Sequence, residues 1–166
     1  MYVVDANVLI EAKNRYYAFD LAPGFWKWLE RVNEGGAVCS IDPIFEEIIK
    51  GDDELKMWAR EHRSFFCPIG QGPVKHFSRI TQWAVSQNYS PAALSAFTGN
   101  DADYLIIAYA CAYNCTVVTH EIPAPSARKR VKIPDACKAM GVDFTDVKNA
   151  LNLVPTEVRQ MIILFF

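Results

Sequence analysis

Four acidic residues stand where apolar segments begin or end. Asp5 ends the apolar opening MYVV, and Glu47 lies within SIDPIFEEIIKG. Asp103 leads into DYLIIAYACAYNCTVVTHE, which Glu121 closes. An ionised carboxylate beside a core is costly unless it is paired or bound to a metal. Several carboxylates converging on one spot make a site for hard cations such as Mg²⁺ or Mn²⁺. The chemistry such a site supports is metal-assisted phosphodiester hydrolysis, in which no serine, cysteine or histidine nucleophile is required.

The elements between these residues must bring them together. Residues 103–113 read as a helix and 115–119, CTVVT, as a strand. A helix of about 11 residues and a strand of about 5 each cover roughly 16 Å. One runs down and the other back, so Asp103 and Glu121 meet at one edge. Asp5 also follows a strand, and in a parallel sheet it lies at the same carboxyl edge, where open α/β folds bind ligands. The rest of the chain alternates in the same way. Strands are predicted over 1–4, 37–40 and 115–119, with short extended stretches at 65–68 and 142–144. Helices are predicted from Val8, over 25–32, from Asp42-Pro43 to about Lys50, over 52–62, 73–87, 91–97 and 103–113, over 135–140, as a turn over 146–151, and from Pro155 into the terminal IILFF. Asp42 is the expected N-cap of its helix, with Pro43 in the first position and Gly51 as the stop. Strands alternating with helices predict a parallel α/β sheet.

The length of 166 residues suits one domain over 1–166, and half of the residues are apolar. The net charge of −2 argues against bulk electrostatic binding of nucleic acid but leaves room for a local basic patch. The five cysteines, Cys39, Cys67, Cys111, Cys115 and Cys137, include no CxxC and are odd in number, as expected of thiols in a reducing compartment. The chain opens directly on a strand rather than a signal peptide, and no apolar run is long enough to span a bilayer, so a cytoplasmic protein with no membrane partner is expected.

Taken together, V-V-D-A-N-V-L-I, P-I-F-E-E-I-I-K-G, D-Y-L-I-I-A-Y-A and V-V-T-H-E resemble the PIN-domain superfamily of metal-dependent ribonucleases, most closely an uncharacterised bacterial PIN-like family. The motifs run in the family's order over residues 1–121. The resemblance implies a three-layer α/β/α fold with a mainly parallel sheet. It further implies an endoribonuclease using Mg²⁺ or Mn²⁺, with RNA as substrate and, as for many such domains, a toxin's role beside a cognate antitoxin protein. By position it implies Asp5, Glu47, Asp103 and Glu121 as the catalytic and metal-binding carboxylates, with Asn7 and Thr119 supporting them. Asp101, close to Asp103, is a further candidate ligand. Two positions depart from the family pattern. Ala6 replaces a common hydroxyl residue, and Glu121 stands where Asp is usual. The expectation is that the carboxyl groups of Asp5, Glu47 and Asp103 converge within roughly 6 Å, close enough to share one cation.

Other features have competing readings. Asp5 and Asp101 could serve helix N-termini; Glu46 and Glu47 could be solvated helix charges. His120 should point away from its neighbour Glu121 by strand alternation. Arg128, Lys129, Arg130 and Lys132 form the one dense basic cluster and are candidates for contacting RNA phosphates, the alternative being a solvated loop. Tyr16, Tyr17, Phe19, Phe25, Trp26 and Trp28 could stack bases or pack a core. The apolar run 161–166 could be core, a homodimer contact or an inhibitor's docking surface. Two rivals stand beside the ribonuclease: a 5′-nuclease-like activity on structured DNA that uses the same carboxylates, and, from a different class, a degenerate PIN-like module that binds RNA or protein without cutting.

Overall fold

A computed structural model describes residues 1–152; the helix expected from Pro155 and the terminal apolar run lie outside the described residues. Five strands, β1 (Tyr2–Val4), β2 (Val38–Ile41), β3 (Phe66–Cys67), β4 (Thr116–Val118) and β5 (Phe144–Thr145), form one all-parallel sheet in the order β3-β2-β1-β4-β5. β1 is central. Its residues Val3 and Val4, and all four of β2, are buried, as strands covered on both faces require. Val4 pairs with Val118, which brings Asp5 and Thr119 side by side just past the ends of their strands.

Strand order reverses at β1. The chain first moves outward to β2 and β3 through α1 (Ala6–Glu11), α2 (Pro23–Glu34), α3 (Asp42–Ile48) and α4 (Glu54–Glu61). It then crosses to the other side of β1 through α5 (Val74–Ser86), α6 (Pro91–Phe97) and α7 (Ala102–Tyr113), and reaches β5 through α8 (Ile133–Met140); α9 (Val147–Asn152) follows. Right-handed crossovers place the two helical sets on opposite faces, giving a three-layer α/β/α fold. α1 touches α3 and α3 touches α4 in one layer; α5, α7 and α8 pack mutually in the other.

α7 carries Asp103 at its first turn and is apolar on every side, with Tyr104 through Ala110 all buried. A helix of that composition must be enclosed, so the sheet and the outer helices fix the position of its N-terminus. Asn114 ends it in the left-handed region, at φ 52°.

Several boundaries differ from the sequence expectation. α1 starts at Ala6, not Val8, and runs into a π-helical turn at Ala12–Tyr16. Asp42 lies inside α3 and is bound by Arg63 at 2.8 Å, whereas Asp53 caps α4 by accepting from the Lys56 N–H. α8 begins two residues earlier than expected. The aromatic segment is core: Phe25 and Trp26 are buried, Tyr17 stacks on Phe25 at 4.1 Å between centroids, and Phe19 on Trp26 at 4.0 Å. Tyr16 alone of this group is well exposed, at 58%. All five cysteines are free thiols, three of them buried. Among the described residues no helix is long and apolar enough to cross a membrane.

Candidate functional site

Asp5 occupies the junction between β1 and α1. Its N–H donates to the Val118 carbonyl at 3.0 Å, extending the β1–β4 ladder, and its own carbonyl accepts from the Val8 N–H at 3.2 Å. Its side chain does not cap α1. Oδ2 instead accepts from the Thr119 hydroxyl at 2.9 Å, and the residue is only 3% exposed. Thr119 Oγ1 in turn accepts from Asn7 Nδ2 at 3.3 Å and from the Glu121 N–H at 3.1 Å. One hydroxyl thus gives its single proton to Asp5 and fills both acceptor positions, which leaves it no freedom to rotate. The other end of the Asn7 amide accepts from the His120 N–H at 3.2 Å. The buried polar group is satisfied through residues on both central strands, with Asn7 and Thr119 beside the carboxylate.

Asp103 faces this cluster from the first turn of α7. Asp101 holds that turn, its Oδ1 accepting from the N–H groups of Asp103 at 2.8 Å and Tyr104 at 3.4 Å. Asp101 therefore commits one oxygen to the helix N-cap. Asp103 Oδ2 accepts from Arg130 Nη2 at 3.0 Å. The same guanidinium nitrogen lies 3.4 Å from Glu121 Oε1, which also receives Lys132 Nζ at 2.9 Å. Glu121 Oε2 accepts from the Ile133 N–H at 2.8 Å. Glu121 thus satisfies an open donor at the start of α8 from 12 residues upstream.

The electrostatics tie these groups together. Burial, then the charge of Asp103, raises the Asp5 carboxyl to about 7; the Thr119 hydrogen bond opposes the rise and Glu121 adds to it. Burial raises Asp103 to about 6, against the hydrogen bond from Arg130 and with the help of Asp101 and Glu121. Asp101 is also raised, chiefly by burial. Asp5, Asp101, Asp103 and Glu121 therefore form one interacting set at the carboxyl edge of β1 and β4, the point where strand order reverses.

The Glu47 side chain is exposed on α3 and takes no part in these side-chain hydrogen bonds and ion pairs. The cause is the phase of its helix: Ile44, Phe45 and Ile48 point into the core, which leaves Glu46 and Glu47 on the solvent side. Among the described residues no group of three or more His, Cys, Asp or Glu side chains is arranged to hold a metal ion. The donor chemistry still suits a hard cation, because the clustered groups offer only carboxylate and hydroxyl oxygens.

The basic cluster divides. Arg130 and Lys132 turn inward onto the acids, while Arg128 donates to the Pro125 and Ala127 carbonyls at 2.9 and 2.8 Å, and Lys129 is exposed. Sequence reasoning assigned all four to phosphate contacts and missed the ion pairs. The available signal was that residues 122–132 must leave and return to the same sheet edge, which brings a basic run back onto Glu121. A cavity of about 240 Å³ lies at the opposite, amino edge, lined by residues that include His76, Arg79, Asn114 and Asp143, and none of the candidate site residues lines it.

Fold and site define the class as an open, doubly wound α/β domain with a buried acidic cluster at its switch point. The family model DUF4411, a domain of unknown function, matches residues 2–154, and the chain belongs to that family. No curated protein and no solved structure matches it.

Proposed function

We propose that this chain is a PIN-like endoribonuclease dependent on Mg²⁺ or Mn²⁺, and the toxin-like member of a pair with an antitoxin protein. The observation that carries the reading is the meeting of Asp5, Asp103 and Glu121, from three separate segments, at the carboxyl edge of the two central strands. Two carboxyl groups beside a buried one make its charge costly: Asp5 is raised to about 7 by its burial and by Asp103 and Glu121. An oxygen-rich, anionic crevice of this kind suits a divalent cation, which supplies an activated water and neutralises charge on phosphate. In this reading Asp5 and Asp103 hold the cation. Thr119 and Asn7 fix the direction of the Asp5 carboxylate, and Glu121 orients the return of the chain to α8. Arg128 and Lys129 are the exposed cations left to meet an RNA backbone.

One observation favours a second reading. Arg130 and Lys132 already neutralise Asp103 and Glu121, and the exposed Glu47 side chain makes no contact with them. That arrangement also suits a catalytically degenerate module that binds RNA or protein. Purified wild type, Asp5→Asn and Asp103→Asn would be incubated with a mixed-sequence RNA and Mn²⁺, with EDTA as control. The ribonuclease reading expects cleavage by wild type only, with both variants folded. Folded wild type that binds RNA but leaves it uncut at every Mn²⁺ concentration selects the second reading.

A further inference from the structure

We infer that the segment 122–132 is a built-in counter-ion for the acidic crevice, with Arg130 as the part that yields its place to a divalent cation. The inference rests on the reading of the crevice as a cation site and concerns how that site is regulated. The segment is pinned at its ends and in its middle. Glu121 Oε2 accepts from the Ile133 N–H at 2.8 Å, the Ala124 N–H donates to Asp135 Oδ2 at 2.9 Å, and the Ser90 N–H donates to the Arg128 carbonyl at 2.8 Å. It is thus an Ω-like loop whose termini are in contact, held as a unit against the α5–α6 connection and α8.

Two cations descend from this loop, and they differ in freedom. The Lys132 side chain is 28% exposed and sits directly before α8, where it is held on Glu121 at 2.9 Å. The Arg130 side chain is 63% exposed, yet its Nη2 spans Asp103 at 3.0 Å and Glu121 at 3.4 Å. It approaches the acids from solvent and can retreat without opening the core. Asp103 is one of the two residues read as holding the cation, so a guanidinium on its Oδ2 and a metal on the same oxygen exclude each other. Exposed ion pairs are weak, which makes Arg130 a displaceable occupant. Once displaced, its guanidinium joins Arg128 and Lys129 on the outer face of the loop, where a phosphodiester backbone would lie.

The test is Mn²⁺ binding measured by isothermal calorimetry on the full chain, which needs no catalytic readout. Arg130→Gln should bind Mn²⁺ roughly 3- to 10-fold more tightly than wild type, the range expected for removing a weak competing charge. Arg130→Lys should restore wild-type affinity. Lys27→Gln, which removes the same charge from an exposed site on α2, should match wild type. In parallel, Mn²⁺ should speed tryptic cleavage after Arg128, Lys129 and Arg130 in the wild-type protein. Equal or weaker Mn²⁺ affinity in Arg130→Gln, or cleavage that Mn²⁺ slows or leaves unchanged, overturns the counter-ion role while leaving the cation site standing. Absence of Mn²⁺ binding in every variant overturns both.

Discussion

Replacing Asp5 by Asn should stabilise the protein, and only at high pH. Asp5 titrates near 7 in the fold, against 3.8 for an unperturbed aspartate, because it is buried and faces Asp103 and Glu121. The native state therefore holds this proton more tightly than the unfolded chain does. Stability contributed by the protonated carboxyl is fully present below the unfolded value of 3.8 and is lost as pH rises through about 7. A shift of about 3 pH units at ~1.4 kcal/mol each corresponds to a cost of about 4 kcal/mol for keeping Asp5 ionised at pH 8.5. Asn keeps an acceptor for the Thr119 hydroxyl and removes the charge. At pH 4 the two side chains are nearly equivalent. At pH 8.5 the variant should gain about 2–4 kcal/mol, a shift of ~1–2 M in the urea midpoint for a slope near 2 kcal/mol/M. Urea unfolding followed by tryptophan fluorescence, in EDTA, reads this directly, since Trp26 and Trp58 are buried. A stability difference of the same size at both pH values, or a loss of stability at pH 8.5, would refute the reasoning.

Three further outcomes are expected. Glu121→Ala should destabilise the fold by about 2–3 kcal/mol, because it strands the Ile133 N–H and the Lys132 ammonium around a nearly buried position; thermal unfolding and hydrogen exchange at the start of α8 check this. Thr119→Val should push the Asp5 carboxyl further upward by removing the hydrogen bond that lowers it, visible as a carboxyl resonance of Asp5 that titrates at higher pH than in wild type. Replacing Arg128, Lys129 and Arg130 together by Ala should weaken RNA binding and reduce the slope of log K against log salt by up to about 2, at ~0.7 per lost phosphate contact. An unchanged slope would return the loop to the status of a solvated surface.

The sequence carried the parts of this arrangement that depend on local pattern. The apolar run after Asp103 and the run before Thr119 announced α7 and β4, and the helix over Pro91–Phe97 matched because Ser90 caps it and Pro91 opens it. The common edge of Asp5, Asp103 and Glu121 followed from the lengths of helix and strand alone. What was hidden depends on phase and on distant partners. Whether Glu47 faces the crevice is set by how α3 is rotated on the core, which spacing relative to Asp42 does not reveal. Arg130 meets Asp103 across 27 residues, and α8 starts early because Glu121, not a neighbouring residue, accepts from its first N–H. The π-helical turn after α1 has no local signal beyond a run without Gly or Pro.

The central position of β1 also has a consequence in time. β1 is made early, but the Asp5–Thr119 hydrogen bond joins residues 114 apart. At a synthesis rate of ~5–20 residues per second, roughly 6–23 s separate the emergence of the two ends. Throughout that interval β1 can pair with β2 on one side only, and its other edge stays open with a lone carboxylate at its tip. The crevice is therefore among the last features to close on a ribosome-bound chain. The nascent chain has no assembled acidic cluster until β4 and the loop behind it have joined the sheet.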